Sequence, residues 1–193
     1  MLPLTQDFVL GGGTALALQL AHRISYDFDF FSDQPIPKNI LEKISQSIQI
    51  KEVSIDSSDE LTFFDIHDVK CTILHYPFKP HFKTIEFSNR MNMFSIQELA
   101  VKKAYTVGRR GAYRDYFDLY TILKDEHINL AEVIRVSEEV YQGLFNSKLF
   151  LEQLVYFEDL PDFDIEPTGQ KTIPNPETVK LYFEQIVSEY LQT

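Results

Sequence analysis

Apolar and polar positions change their period once along the chain. Up to about residue 94 the apolar residues come in short runs separated by turn residues, and from Ser95 they recur at three- and four-residue spacing. The first regime predicts strands at 6–11, 26–31, 48–55, 61–66 and 69–76, with a tight turn at Asp65–Asp68 and a further strand within TIEFSNRMNMF. Two helices interrupt these strands. Thr14 is placed to N-cap one that runs to about Arg23, with Ala15, Leu16, Leu18 and Leu20 as its apolar body, and QPIPKN turns into another over 38–47. The second regime predicts helices at SIQELAVKKAYTV, RDYFDLYTILKD, NLAEVIRVSEEVYQGLF, SKLFLEQLVYF and PETVKLYFEQIVSEYL. A break at Gly108 and Gly111 and a Pro-rich acidic loop separate them. Sheet first and helices second describes an α+β chain, with a mixed-sheet core over 1–94 and a helical C-terminal part over 95–193 packed on it.

Composition narrows the class. With 193 residues, 44% of them apolar, the chain can bury a sizeable core. Cys71 is the sole cysteine, so no internal disulfide forms, and MLPLTQDF lacks the basic start and small-residue cleavage site of a secretory signal. No apolar run approaches the roughly 20 residues that span a bilayer. A cytoplasmic protein without a membrane partner is expected. The net charge of −11 argues against a nucleic-acid partner, but it is unevenly spread. Residues 1–124 carry 14 Lys and Arg against 15 acids, whereas 125–193 carry 4 against 14. Between Ser95 and Arg114, Lys102, Lys103, Arg109, Arg110 and Arg114 face only Glu98, a basic run that is either a solvated helix face or a phosphate-facing surface. The acidic stretch EDLPDFDIE interleaves its carboxylates with Leu160, Phe163 and Ile165, which suits either solubility or docking of a basic partner.

Candidate chemistry concentrates in LGGGTALALQLAHRISYDFDFF, residues 10–31. Glycines ahead of a helix let backbone amides approach a ligand closely, and the helix start offers unpaired N–H groups suited to a phosphate. Neither G-x-x-x-x-G-K-[ST] nor G-x-G-x-x-G is present. Asp27 and Asp29 stand two apart on a strand, so they project to one face while Tyr26, Phe28 and Phe30 turn to the core. Two adjacent carboxylates repel unless a cation lies between them, and magnesium, completed by water and substrate phosphates, suits the pair. His22 can fix the turn between helix and strand, and Arg23 either neutralises the carboxylates or faces a nucleotide.

A glycine turn, a helix and a D-x-D strand form the arrangement of polymerase-beta-like nucleotidyltransferases. GGTALALQLAHRISYDFDFF, VKCTILHYPF and SIQELAVKKAYTVGRRGAYRDYFDLYTIL together resemble the AbiEii/AbiGii toxin family of nucleotidyltransferases, over about residues 8–124. The resemblance implies a toxin-type enzyme that binds a nucleoside triphosphate with Mg2+ and transfers a nucleotidyl group to an acceptor, transfer RNA in some relatives, with an antitoxin as a partner. On that resemblance Gly12, Gly13 and Thr14 hold the triphosphate and Asp27 and Asp29 bind the metal. Lys103 contacts the nucleotide phosphates, and Arg114, Asp115 and Asp118 form an R-D-x-x-D segment at the site. From the residues alone, Asp115 and Asp118 serve equally as first-turn helix acids, with Arg114 and Asp118 as an i, i+4 pair.

Two features depart from the family pattern. The position expected to hold a third carboxylate is Thr72, which cannot act as a base, so Asp65, Asp68, Asp115 or Asp118 substitutes or the chemistry is weakened. Relatives carry a helical lead-in before the glycine motif, whereas about ten residues precede it here, as in a shortened front. A non-catalytic nucleotide-binding module, and a small-molecule nucleotidyltransferase or phosphotransferase, are the alternatives.

Overall fold

The computed structural model describes residues 8–88, 91–107 and 109–192. The chain divides into two compact units, one of residues 1–20 and 25–95, the other of 21–24 and 96–193.

The first unit is built on a seven-stranded mixed sheet. Its strands are β1 (Val9–Gly11), β2 (Phe28–Ser32), β3 (Ile50–Asp56), β4 (Glu60–Asp65), β5 (Lys70–His75), β6 (Ile85–Ser88) and β7 (Met91–Met93). They lie in the order β3-β4-β5-β2-β1-β7-β6. β2 runs parallel to β5 and β1 parallel to β7, while the other neighbours are antiparallel. Helices α1 (Gly12–Leu20) and α2 (Ile40–Ser45) complete the unit. The stretch expected as one strand over 84–94 is two paired strands, β6 and β7, with residues 89 and 90 outside the described ones. Residues 6 and 7 of the first expected strand also lie outside them.

Cross-strand register sorts the central strands into two rows. Leu10 pairs with Phe30, Phe30 with Ile73 and Ile73 with Leu61, and all four side chains are buried. One residue along, on the opposite face, Gly11 pairs with Asp29, Asp29 with Thr72 and Thr72 with Thr62. Strand side chains alternate between faces, so the first row makes the core and the second makes a polar row. α1 begins directly after Gly11 and ends at Leu20, short of the expected Arg23, because Ala21 adopts a left-handed backbone (φ 47) that stops the helix. Thr14 therefore sits inside the first turn instead of capping it.

The second unit is helical: α3 (Ile96–Val107), α4 (Tyr113–Lys124), α5 (Leu130–Tyr141), a 3-10 turn at Gln142–Leu144, α6 (Ser147–Val155) and α7 (Pro176–Leu191). The expected break at Gly108 falls outside the described residues. Asn129, Asn146 and Asn175 cap α5, α6 and α7 by accepting from the backbone N–H of Glu132, Leu149 and Glu177, and Pro176 occupies the first turn of α7, where no N–H partner is needed. An aromatic core joins α4 to α7: Phe183 packs against Tyr116, Tyr120 and Phe157, with ring centroids 6.4 Å apart in each case. Leu160, from the acidic loop, is buried, and Phe163 lies 4.8 Å from the Tyr113 ring. Leu160 is thus spent within its own unit, whereas Phe163 packs on Tyr113 with 38% of its surface still exposed.

Phe183 is fully buried at the centre of these rings. Phe183→Ala is expected to cost about 3–5 kcal/mol by lost burial and cavity formation, measured as a shift in the urea unfolding midpoint. Leu181→Ala, an exposed residue of the same helix, is expected to leave that midpoint in place.

Candidate active site

The site in the first unit starts from a missing side chain. Gly12 has φ +64, and a Cβ placed on it would come within 2.1 Å of Asp29 Oδ2. Glycine is required here twice, by the left-handed backbone and by the carboxylate that occupies the space of a side chain. The Asp29 carboxylate consequently lies at the start of α1, whose first-turn amides, those of Gly12, Gly13 and Thr14, have no intrahelical acceptors. A carboxylate is favoured at that end of a helix dipole. Gly11, one position earlier, has no room for a Cβ either: it would meet Phe31 at 2.5 Å and Phe94 at 3.0 Å.

Asp27 precedes β2, whose first residue is Phe28. It is held through its main chain: the Thr14 hydroxyl donates to the Asp27 carbonyl and lies 3.0 Å from the Ser25 hydroxyl. Thr14 thus fixes the segment that delivers the first carboxylate to the start of the strand. Both Asp27 and Asp29 are half-buried. Their charges reach Cys71, whose thiol is pushed up to about 11 by burial first, and then by Asp65, Asp27 and Asp29. Of the residues expected on the opposite face, Phe30 is core, but Tyr26 is 63% exposed and Phe28 stands at the surface beside Phe30. The strand begins at Phe28, so Tyr26 lies beyond the sheet that would have covered it.

Thr72, the position expected to hold a third carboxylate, pairs with Asp29 across β2 and β5. Among the described residues no group of three or more His, Cys, Asp or Glu side chains is arranged to hold a metal ion. The polar row continues outward from Thr72: its hydroxyl is 3.4 Å from that of Thr62, which donates to Glu60 Oε1 at 2.8 Å. Glu60 was not singled out by sequence; its signal is the i, i+2 spacing to Thr62 at the start of β4. Asp65 and Asp68 are engaged in the β4–β5 turn. Asp65 accepts from the N–H groups of His67 and Val69, bonds that hold its carboxyl below the usual range, and Asp68 pairs with Lys51.

The second unit gathers most of the remaining candidates into one buried cluster. Lys103 Nζ lies 2.7 Å from Asp115 Oδ1 and 2.5 Å from Asp118 Oδ2. Arg23 grips Asp118 with two nitrogens, Nε at 2.6 Å from Oδ1 and Nη2 at 2.9 Å from Oδ2, and His22 Nε2 is 2.7 Å from the same Oδ1. Arg110 reaches Asp115 from the surface, with Nε 2.9 Å from Oδ2. Asp115 and Asp118 are 0% exposed. Burial alone would raise their pKa values, yet Lys103 with Arg110 holds Asp115 below the usual carboxylate range, and Lys103, Arg23 and His22 hold Asp118 far below it. Lys103 is pushed up by the two carboxylates against the effect of burial.

The expected Arg114–Asp118 pair gives way to these contacts, and Arg114 points outward, exposed. The basic run is not one solvent face either. Lys102 and Lys103 are buried, Arg110 is committed to Asp115, and Arg109 lies 3.9 Å over the Tyr105 ring. Burial draws Lys102 down to about 7, with Glu98, 4.0 Å away, pulling the other way.

The family model for the nucleotidyl transferase AbiEii toxin, of a Type IV toxin–antitoxin system, matches residues 2–63, the segment that carries Gly12, Asp27 and Asp29. An uncharacterized protein of Aquifex aeolicus (strain VF5) is 30% identical over 99% of this chain and 91% of its own length. The chain belongs to the AbiEii nucleotidyltransferase toxin family. Its fold is shared with two solved structures. MenT4, a nucleotidyltransferase toxin from Mycobacterium tuberculosis H37Rv, aligns with a TM-score of 0.59 at 15% identity over 95% of this chain and 75% of its own. A protein from H. pylori, provisionally assigned as a nucleotidyltransferase, aligns at 0.57 and 21% identity over 96% and 87%. Among the described residues no helix is long and apolar enough to cross a membrane.

The cluster in this family member makes a definite demand on pH. Asp115 and Asp118 have folded pKa values below their ordinary 3.8, so the unfolded chain takes up protons first as pH falls. Their contribution to stability is present above about pH 4 and is lost as pH drops through the lower folded values. Asp118→Asn is expected to cost about 3–5 kcal/mol at pH 7 by stranding Arg23 and Lys103, and to flatten the acid limb of Tm against pH. Circular dichroism melts from pH 7 to pH 2 measure both.

Proposed function

We propose that this chain is a magnesium-dependent nucleotidyltransferase that transfers a nucleotidyl group from a nucleoside triphosphate to an acceptor, with RNA as the acceptor class. The observation that carries this reading is the juxtaposition at Gly12: first-turn amides that suit phosphate oxygens meet a carboxylate that would repel them unless a cation lies between. Asp27 and Asp29 fit Mg2+ in donor chemistry, two hard oxygen ligands with the remaining positions left to water and phosphates. The ion would supply charge neutralisation at the reacting phosphate. Gly12 and Gly13 present their amides to the triphosphate, and Thr14 positions Asp27 by holding its carbonyl.

A base is still needed for the acceptor hydroxyl. Glu60 meets that need at the end of a row of hydroxyls: a proton released beside Asp29 passes to Thr72, on to Thr62 and then to the carboxylate. Arg114, exposed, is the side chain of the R-D-x-x-D segment open to a phosphate. Lys103 has its ammonium on Asp115 and Asp118, which supports a positioning role in which the cluster with Arg23 fixes the 21–24 segment at the exit of α1. A protein partner of antitoxin type is consistent with the family.

Incubation of the full chain with Mg2+, α-phosphate-labelled nucleoside triphosphates and total RNA is expected to label RNA. Asp29→Asn should lower that labelling about 10²–10³-fold with Tm retained, and Glu60→Gln should lower turnover while leaving nucleotide affinity in place. Nucleotide binding without transfer of label by the wild type would favour the non-catalytic reading that Thr72 raises.

Lys103→Met separates the two roles of that residue. A positioning lysine predicts a drop in Tm and an altered acid limb together with lost activity. A direct phosphate ligand predicts unchanged Tm and nucleotide affinity reduced about tenfold or more, as read by calorimetry.

A further inference from the structure

The acidic excess of the C-terminal part has a focus. In the second unit, the end of α4, the turn over 125–129, the start of α5 and the outer half of α7 border a groove of about 690 Å3. Tyr182, Ile186, Ile128 and Leu130 form its apolar lining, with Glu126 and Glu189 beside them. Apolar floor and acidic rim call for an occupant with the opposite pattern of charge.

Glu126 is an unexpected residue for its backbone. It follows the C-cap of α4 with φ +57, a helix-terminating conformation that glycine adopts without strain and a glutamate does not. The chain accepts this strain and sets a carboxylate at the groove edge. The field of the acids is felt at the groove lining: the Tyr182 hydroxyl is pushed up to about 12 by burial first, then by Tyr120, Glu126, Glu189 and Asp125. The tyrosine faces already take a cation, since Lys124 Nζ lies 5.6 Å from the Tyr120 ring centroid and 5.8 Å from that of Tyr182. Three helices border the groove, so a fourth helix is the element that completes the packing.

We propose that this groove docks a basic amphipathic helix of a partner protein, with aliphatic side chains packed on Tyr182 and Ile186 and lysines or arginines on Glu126 and Glu189. The occupant is defined by charge complementarity. It does not depend on nucleotidyl transfer, so the catalytic variants above leave it untouched.

The test uses the full chain and a synthetic 18-residue helical peptide with leucines at i, i+3, i+4 and i+7 and lysines elsewhere, read by fluorescence anisotropy. A second peptide carries glutamates in place of the lysines. The lysine peptide should bind the wild type and the glutamate peptide should not. Ile186→Glu adds negative charge but blocks the apolar lining, so it should weaken binding about tenfold or more, whereas diffuse attraction to an acidic protein would be kept or strengthened. Glu126→Gly relieves the backbone strain and should raise Tm by about 2–4 °C while weakening the lysine peptide, so lost binding there cannot be misfolding. The proposal fails if the lysine peptide does not bind the wild type, if Ile186→Glu binds it equally well, or if both peptides bind alike. Self-association of the wild type that Ile186→Glu abolishes in sedimentation would also overturn it, by assigning the groove to a second copy of the chain.

Discussion

The close approach of Asp29 to Gly12 is the constraint on which the first unit depends. A carboxylate 2.1 Å from where a Cβ would stand leaves the position no other residue, and it fixes β1, the start of α1 and β2 against one another. The strand register that permits it is the register that builds the core. Leu10, Phe30, Ile73 and Leu61 fill one face only while Gly11, Asp29, Thr72 and Thr62 occupy the other. A slip of one residue would exchange the rows, bury Asp29 and expose Phe30. Core packing and the candidate chemistry are therefore specified together.

The second unit depends on a different balance. Lys103 and Arg23 face Asp115 and Asp118, two cations against two anions, all buried, with Arg110 reaching in from outside. Ion pairs taken out of water return little net stability, because desolvation offsets attraction, but breaking one strands a charge. Such a cluster is thus better at specifying one arrangement than at strengthening it. Here it specifies that His22 and Arg23, which follow α1 in sequence, belong with α3 and α4. Sequence adjacency to the D-x-D strand offered Arg23 to the carboxylates or to a nucleotide; its grip on Asp118, through two guanidinium nitrogens, was not visible there.

Periodicity was enough to read nearly every element, because each is a run of one period bounded by a turn or a cap. The sheet order was not legible: the parallel β2–β5 and β1–β7 pairs join strands far apart in sequence, and local pattern carries no information on such pairing. Gly12 and Asp29 were legible as chemistry but not as a contact. Asp115 and Asp118 were legible as a pair on one helix face, while Arg23 and His22, the partners of Asp118 from more than 90 positions away, were not. Glu60 went unread because an acid at a strand start is ordinary until the register sets Thr62, which donates to it, opposite Thr72.

Lys102 and Lys103 show why charge counted along a sequence misjudges a surface. Both are buried on α3, yet the two carboxylates around Lys103 raise its proton affinity, whereas Lys102, 4.0 Å from Glu98, is drawn down to about 7. Burial pulls both lysines down; the two carboxylates around Lys103 outweigh it, and the single one near Lys102 does not. With both lysines inside and Arg110 on Asp115, the exposed remainder of the basic run is Arg109 and Arg114. By itself this run would offer a phosphate backbone two contacts, worth a salt slope of only about −1 to −2 on logarithmic axes. A count of cations along the sequence thus overstates what the run can give a phosphate backbone, because three of its five face carboxylates of their own unit.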